Sequence, residues 1–144
     1  MTRYKITLSV LLLSMIIGVA IADLGYMHAG NDAWPPHAQF HGVWNVWHVA
    51  ATHLLALYIL WRVPLDARWR IRIACGIFLA FPLSFFVTLA LAGLFGASLH
   101  PDVPAEQAPP SLFGLDGNLV SFLIIVPIAI WAWAGEERRL NATL

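Results

Sequence analysis

The chain has 144 residues, 60% of them hydrophobic and 11% charged, whereas a soluble domain carries about 25% charged residues. Eight basic and eight acidic side chains cancel, which argues against a nucleic-acid-binding surface. The single cysteine, Cys75, excludes an intrachain disulfide and reads as a small buried hydrophobe.

Four apolar segments follow in order, and a spanning helix needs roughly 20 mainly apolar residues to cross about 30 Å of hydrocarbon. The first, about residues 5–25, lies behind Arg3 and Lys5. Its Ala20-Ile21-Ala22 stretch also has the form of a leader-peptide cleavage site; the reading adopted is a retained helix. A compact loop from Leu24 to Pro35 leads to the second segment, about residues 36–61, where Pro35 and Pro36 suit a helix start.

The first half of that segment carries the most distinctive pattern in the chain. At about 100° per residue, His37, His41 and His48 fall nearly on one line. Asn45 and Thr52 extend the line, and His53 lies off it by roughly a third of a turn. Polar groups facing lipid are expensive, so the stripe is expected to face the bundle interior or a wet cavity.

A short link predicts that the second segment and the third, about residues 71–98, are antiparallel neighbours. Pro82 predicts a kink in the third segment, and Ala92 and Gly96 permit close helix approach. The stretch Pro101 to Pro110 is proline-rich and belongs to the longest connection. The fourth segment, about residues 118–134, is short for a span and contains Pro127.

Charge then orients the segments. Arg3, Lys5, Arg62, Arg68, Arg70, Arg72, Arg138 and Arg139 all fall on one side, while Asp32, Asp102, Glu106 and Asp116 occupy the other, with Asp23 close by. This is the positive-inside pattern. Trp61, Trp69, Trp131 and Trp133 belong to the cytoplasmic ends, and Trp34, Trp44 and Trp47 lie toward the outer side, as an interfacial belt would place them. The expected fold over residues 1–144 is an all-α integral membrane protein, an antiparallel four-helix transmembrane bundle with both termini cytoplasmic. It is expected in a cell membrane such as the inner membrane, multi-pass, with its histidine-rich side toward the periplasm or exterior.

Three functional classes compete, and a pore or carrier is a further one, less favoured because the cytoplasmic half is apolar apart from its charged rim. In the first, His37 and His41, one turn apart, begin a metal site completed by Asp23, His28, His100, Asp102 or Asp116. Zinc, iron and copper all suit such ligands, and haem between His48 or His53 and His28 or His100 is the related expectation. In the second, His48 and Asp23 are the catalytic acid–base groups of an intramembrane enzyme, an isomerase or another lipid-modifying activity. Its lipophilic small-molecule substrate would lie in a pocket lined by Trp44, Asn45 and Thr52. In the third, the histidines are interhelical hydrogen-bonding glue in a structural or accessory subunit, a homo-oligomer or part of a larger membrane complex. Ser14, Ser84, Thr88 and Ser121 carry no individual signal. The nucleotide-binding glycine motifs and C-x-x-C are absent from the sequence, and membrane lipids are the expected surroundings.

Overall fold

A computed structural model describes residues 1–25, 28–32, 34–99, 111–112 and 114–142. The expected Pro101–Pro110 connection, with His100, Asp102 and Glu106, lies outside the described residues. Among the described residues there are four α-helices: α1 (Arg3–Leu24), α2 (Pro36–Trp61), α3 (Ala67–Leu91) and α4 (Gly117–Asn141). A short 3-10 turn, Ala92–Leu94, follows α3. Two-residue strands β1 (Ser111–Leu112) and β2 (Leu115–Asp116) pair antiparallel just before α4. Each helix is long and apolar enough to cross a membrane, and they pack as a bundle in which sequence neighbours touch and α4 closes onto α1.

Local chemistry sets where the helices begin and end. Thr2 caps α1, its hydroxyl accepting from the Lys5 N–H at 3.3 Å. Asp66 caps α3, accepting from the Arg68 N–H at 2.8 Å, which starts that helix ahead of the purely apolar run. Asp116 caps α4 through the N–H groups of Asn118 and Leu119, at 2.8 and 3.1 Å. Each carboxylate satisfies donors that a helix start leaves without intrahelical partners. At its other end α4 continues through Glu136 to Asn141 because its charges are paired. Arg139 donates to Glu136 at 2.8 Å, and the Arg72 guanidinium on α3 grips Glu137, one of its two bonds measuring 3.1 Å.

The interior is narrow. Leu8, Leu12, Ala56, Leu60, Ile71, Ala74, Phe78 and Ala129 form its centre, each no more than 1% exposed. Alanine at the facing positions lets backbones approach, which matters because lipid is as apolar as leucine and gives no hydrophobic reason to pack. Gly135 shows the same logic: a Cβ there would lie 2.6 Å from Tyr4 Cζ. The outside is apolar too, with Ile21, Trp47 and Phe95 at least 70% exposed. No more than 28% of any helix's most apolar stretch is buried. Apolar surface on this scale needs a lipid solvent, and the chain is a multi-pass membrane protein in contact with lipid.

Candidate functional site

The packing of α2 decides which of its faces looks inward. Its buried residues are Val46, Val49, His53, Ala56 and Leu60, spaced as one helical face. His37, His41 and His48 are exposed, on the other side. The expectation that the histidine stripe faces the bundle interior or a wet cavity is therefore corrected for His48, which lines neither outer cavity, while His37 and His41 border an open cavity at the start of α2. His53, the histidine off the stripe, is the buried one. Its Nδ1–H donates to the Val49 carbonyl at 2.9 Å, and its ring packs edge-on against Phe78.

This arrangement overturns the metal or haem reading. Among the described residues no group of three or more His, Cys, Asp or Glu side chains converges so that it could hold a metal ion. His37 and His41 touch each other, Nε2 to Nε2 at 3.1 Å, but two exposed imidazoles without a third ligand do not make a site. His28 is engaged elsewhere: its Nδ1 bonds the Ala22 carbonyl at 3.0 Å and its ring abuts Trp34. Nor do the histidines form one functional face, since His48 and His53 point to different sides of α2. The aromatic cluster of the outer half is built from Phe81, Phe85, Phe86 and Phe122, with ring centroids 5.0–6.5 Å apart.

Phe81, Phe85 and Phe122 line a cavity of about 820 Å³ between α1, α3 and α4, in the half of the bundle away from the basic rim. Leu11, Met15, Phe81, Phe122 and Ile125 form its apolar depth. Ser14 from α1, Ser84 and Thr88 from α3, and Ser121 from α4 place hydroxyls on its walls. Ser84 donates to the Phe81 carbonyl at 2.7 Å and Thr88 to the Ser84 carbonyl at 2.9 Å, so their protons stay on their own helix while their oxygens remain acceptors. The outer end of the cavity is polar: Asp23, His28, Asn45, Asp116 and Asn118.

A second, more open cavity of about 600 Å³ lies above it, against the start of α2. Trp34, Pro35, His37, His41 and Gly42 line it, and it shares Asp23, His28 and Asn45 with the deeper one. Two of the shared residues are hydrogen-bonded, Asn45 Nδ2–H to Asp23 Oδ2 at 2.7 Å. That bond joins the end of α1 to α2 and, with a carboxylate acceptor, belongs to the stronger class. Asp23 Oδ1 makes no hydrogen bond among the described residues. The loop behind it is held by its own backbone, the Ala29 N–H donating to the Asp23 carbonyl at 2.9 Å. Gly30 passes so close that a Cβ there would lie 2.9 Å from the Leu24 carbonyl oxygen.

Of the residues expected at a site, Asp23 and Asn45 come together, and His37 and His41 lie in the outer cavity. His48, Trp44 and Thr52 line neither cavity. The Thr52 hydroxyl instead donates to its own helix, to the His48 carbonyl at 2.8 Å. The hydroxyls and phenylalanines of the deep cavity carried no weight in the sequence reading. A signal for them was present: Ser14 with Gly18, Ser84 with Thr88, and Asn118 with Ser121 each sit three or four residues apart, small or polar pairs on single faces of three helices. Compared with models of known families, with curated proteins and with solved structures, the chain matches none of them, so its function is read from its own geometry.

Proposed function

We propose that the protein binds a lipophilic small molecule in the outer half of the bundle, with the apolar body against Phe81, Phe85 and Phe122 and a polar group at Asp23. The observation that carries this reading is the convergence of hydroxyls from three helices, a phenylalanine cluster and the Asp23–Asn45 pair on one cavity of about 820 Å³. A largely apolar pocket with a few placed polar groups is the common form of a small-molecule site. Among the described residues no Lys or Arg lines it, whereas Asp23 and Asp116 do. The favoured polar group is therefore a hydrogen-bond donor such as a hydroxyl or amine, and a carboxylic acid is disfavoured by like charge.

Access from the bilayer is supported by the exposure of Ser14, Gly18, Ser84 and Ser121 along the rim. In the orientation favoured by the basic residues, the site opens toward the periplasm or exterior of the cell membrane. Asp23 anchors the ligand in this reading, and His48 has no part in ligand contact.

Gly18 gives a clean test, because it lines the cavity and a Cβ there meets nothing within 4 Å. Native mass spectrometry of the detergent-purified protein with a long-chain fatty alcohol is expected to show a bound adduct, weaker with the matching fatty acid. Gly18→Leu should fill the space and lower occupancy at least tenfold without loss of fold. Unchanged occupancy in a folded Gly18→Leu protein would overturn the reading.

A further inference from the structure

A different face of the molecule makes a demand that lipid does not meet. His48 is exposed on α2, and its ring makes no hydrogen bond among the described residues. At about 1.5 Å per residue it lies about 20 Å along the helix from Trp61. Lys5 Nζ sits 4.1 Å from the Trp61 ring centroid, which places that indole at the basic rim. With hydrocarbon about 30 Å thick, His48 is inside it. A neutral imidazole has one N–H donor and one bare acceptor nitrogen, and both are unsatisfied against acyl chains. The outward faces of the other helices make no such demand: Leu13 and Ile17 on α1, Leu83 and Val87 on α3, and Leu123 and Ile124 on α4 are all exposed and apolar.

The residues around His48 form a seam. His41, Trp44, His48, Ala51, Leu55 and Tyr58 are spaced by alternate steps of three and four, and all are exposed. A spacing averaging 3.5 residues is the period at which two helices wrap around each other. We infer that this face of α2 is covered by α2 of a second copy of the chain, with His48 hydrogen-bonded to its counterpart at the same depth. The choice of a second copy follows from symmetry and chemistry. Copies inserted with the same orientation are related by a two-fold axis along the membrane normal, so each residue of a parallel α2 pair meets itself. Imidazole is self-complementary, the N–H of one ring donating to the bare nitrogen of the other. Ala51, at the next seam position, allows the backbones to approach.

The inference is independent of the proposed ligand, since none of the seam residues lines the deep cavity. The test uses the full chain reconstituted in liposomes. Single-molecule photobleaching of the labelled wild-type protein should show two copies per particle at dilutions where chance co-occupancy is negligible. In a Cys75→Ala background, oxidation should cross-link His48→Cys, Ala51→Cys and Leu55→Cys but leave the exposed Ile17→Cys and Leu123→Cys controls monomeric. His48→Leu should weaken dimerisation about tenfold, and His48→Asn, which keeps a donor and an acceptor, should restore most of it. A monomeric wild-type protein would overturn the inference, including the case in which a different membrane protein covers α2. Equal cross-linking at the control positions, or a His48→Leu dimer as tight as the wild type, would overturn it as well.

Discussion

The two halves of the bundle are built differently. Toward the basic rim, Leu8, Leu12, Ala56, Leu60, Ala74, Phe78, Ala129 and Ala132 are all 0% exposed. The same half carries cross-helix polar ties. The Trp61 indole N–H donates to Ser9 Oγ at 2.9 Å, and the Cys75 thiol approaches the Ala129 carbonyl at 3.6 Å. In the outer half the centre holds fewer buried residues, and Val19, Val46 and Phe122 retain 7–8% exposure around open volume. Labour is divided between the halves: the half at the basic rim fixes the relative positions of the helices, and the other half keeps a cavity. Sites placed on a rigid support hold their geometry better than sites left to loops.

The comparison can be broken first at its strongest point. Phe78 is fully buried in the inner half, whereas Phe85 lies on the cavity wall. Phe78→Ala should cost about 3 kcal/mol and Phe85→Ala less than about 1 kcal/mol, measured by denaturant unfolding in detergent. Equal losses would mean that the halves are packed alike. Next, Gly135→Ala should cost about 1–2 kcal/mol, because the added methyl meets the Tyr4 ring. Combining it with Tyr4→Ala should cost less than the two separate losses added together, and strict additivity would remove the proposed clash.

A smaller effect belongs to the Asp23–Asn45 pair. Asp23→Asn and Asn45→Ala should each cost about 1 kcal/mol, with a coupling visible in a double-mutant cycle. Absence of coupling would show that the 2.7 Å bond does not join α1 to α2 in solution. The smallest effect is expected at the exposed His37–His41 pair, where single changes to Ala should stay within about 0.5 kcal/mol by thermal unfolding. A larger loss would restore a structural role to that pair.

Much of the architecture was legible from the sequence. The four apolar runs became α1 to α4, because length and composition alone decide whether a helix can span a bilayer. Helix ends were less legible. α4 runs past residue 134 to Asn141 because Arg139–Glu136, within the helix, and Arg72–Glu137, across to α3, keep its charged end helical; the second pair joins two helices and leaves no periodic trace in the sequence.

The site was legible only in part. Asp23 and Asn45 were singled out, and the structure joins them; His37 and His41 meet a cavity as the stripe rule expects, but the rule failed for His48, which lines neither cavity. In a bilayer that rule holds only for the complete assembly, and an outward face can be satisfied by a neighbour. The inward face of α2 was instead chosen by Val46, Val49, Ala56 and Leu60, whose side chains fit against α1 and α3. The cavity hydroxyls were hidden for a different reason: Ser14, Ser84 and Ser121 stand on separate helices, and only the relative rotation of those helices brings them together.

In the proposed function, the cavity between α1, α3 and α4 receives a lipophilic molecule with its polar end at Asp23. The most direct measurement is photoaffinity labelling in liposomes with a diazirine-bearing long-chain alcohol, with the adducts mapped by peptide mass spectrometry. Saturable labelling is predicted on the α1 segment from Ser14 to Ala22 and the α4 segment from Asn118 to Ile125, displaced by excess unlabelled alcohol. Labelling confined to outward residues such as Leu13, Trp47 and Leu123, and unaffected by competitor, would contradict the account.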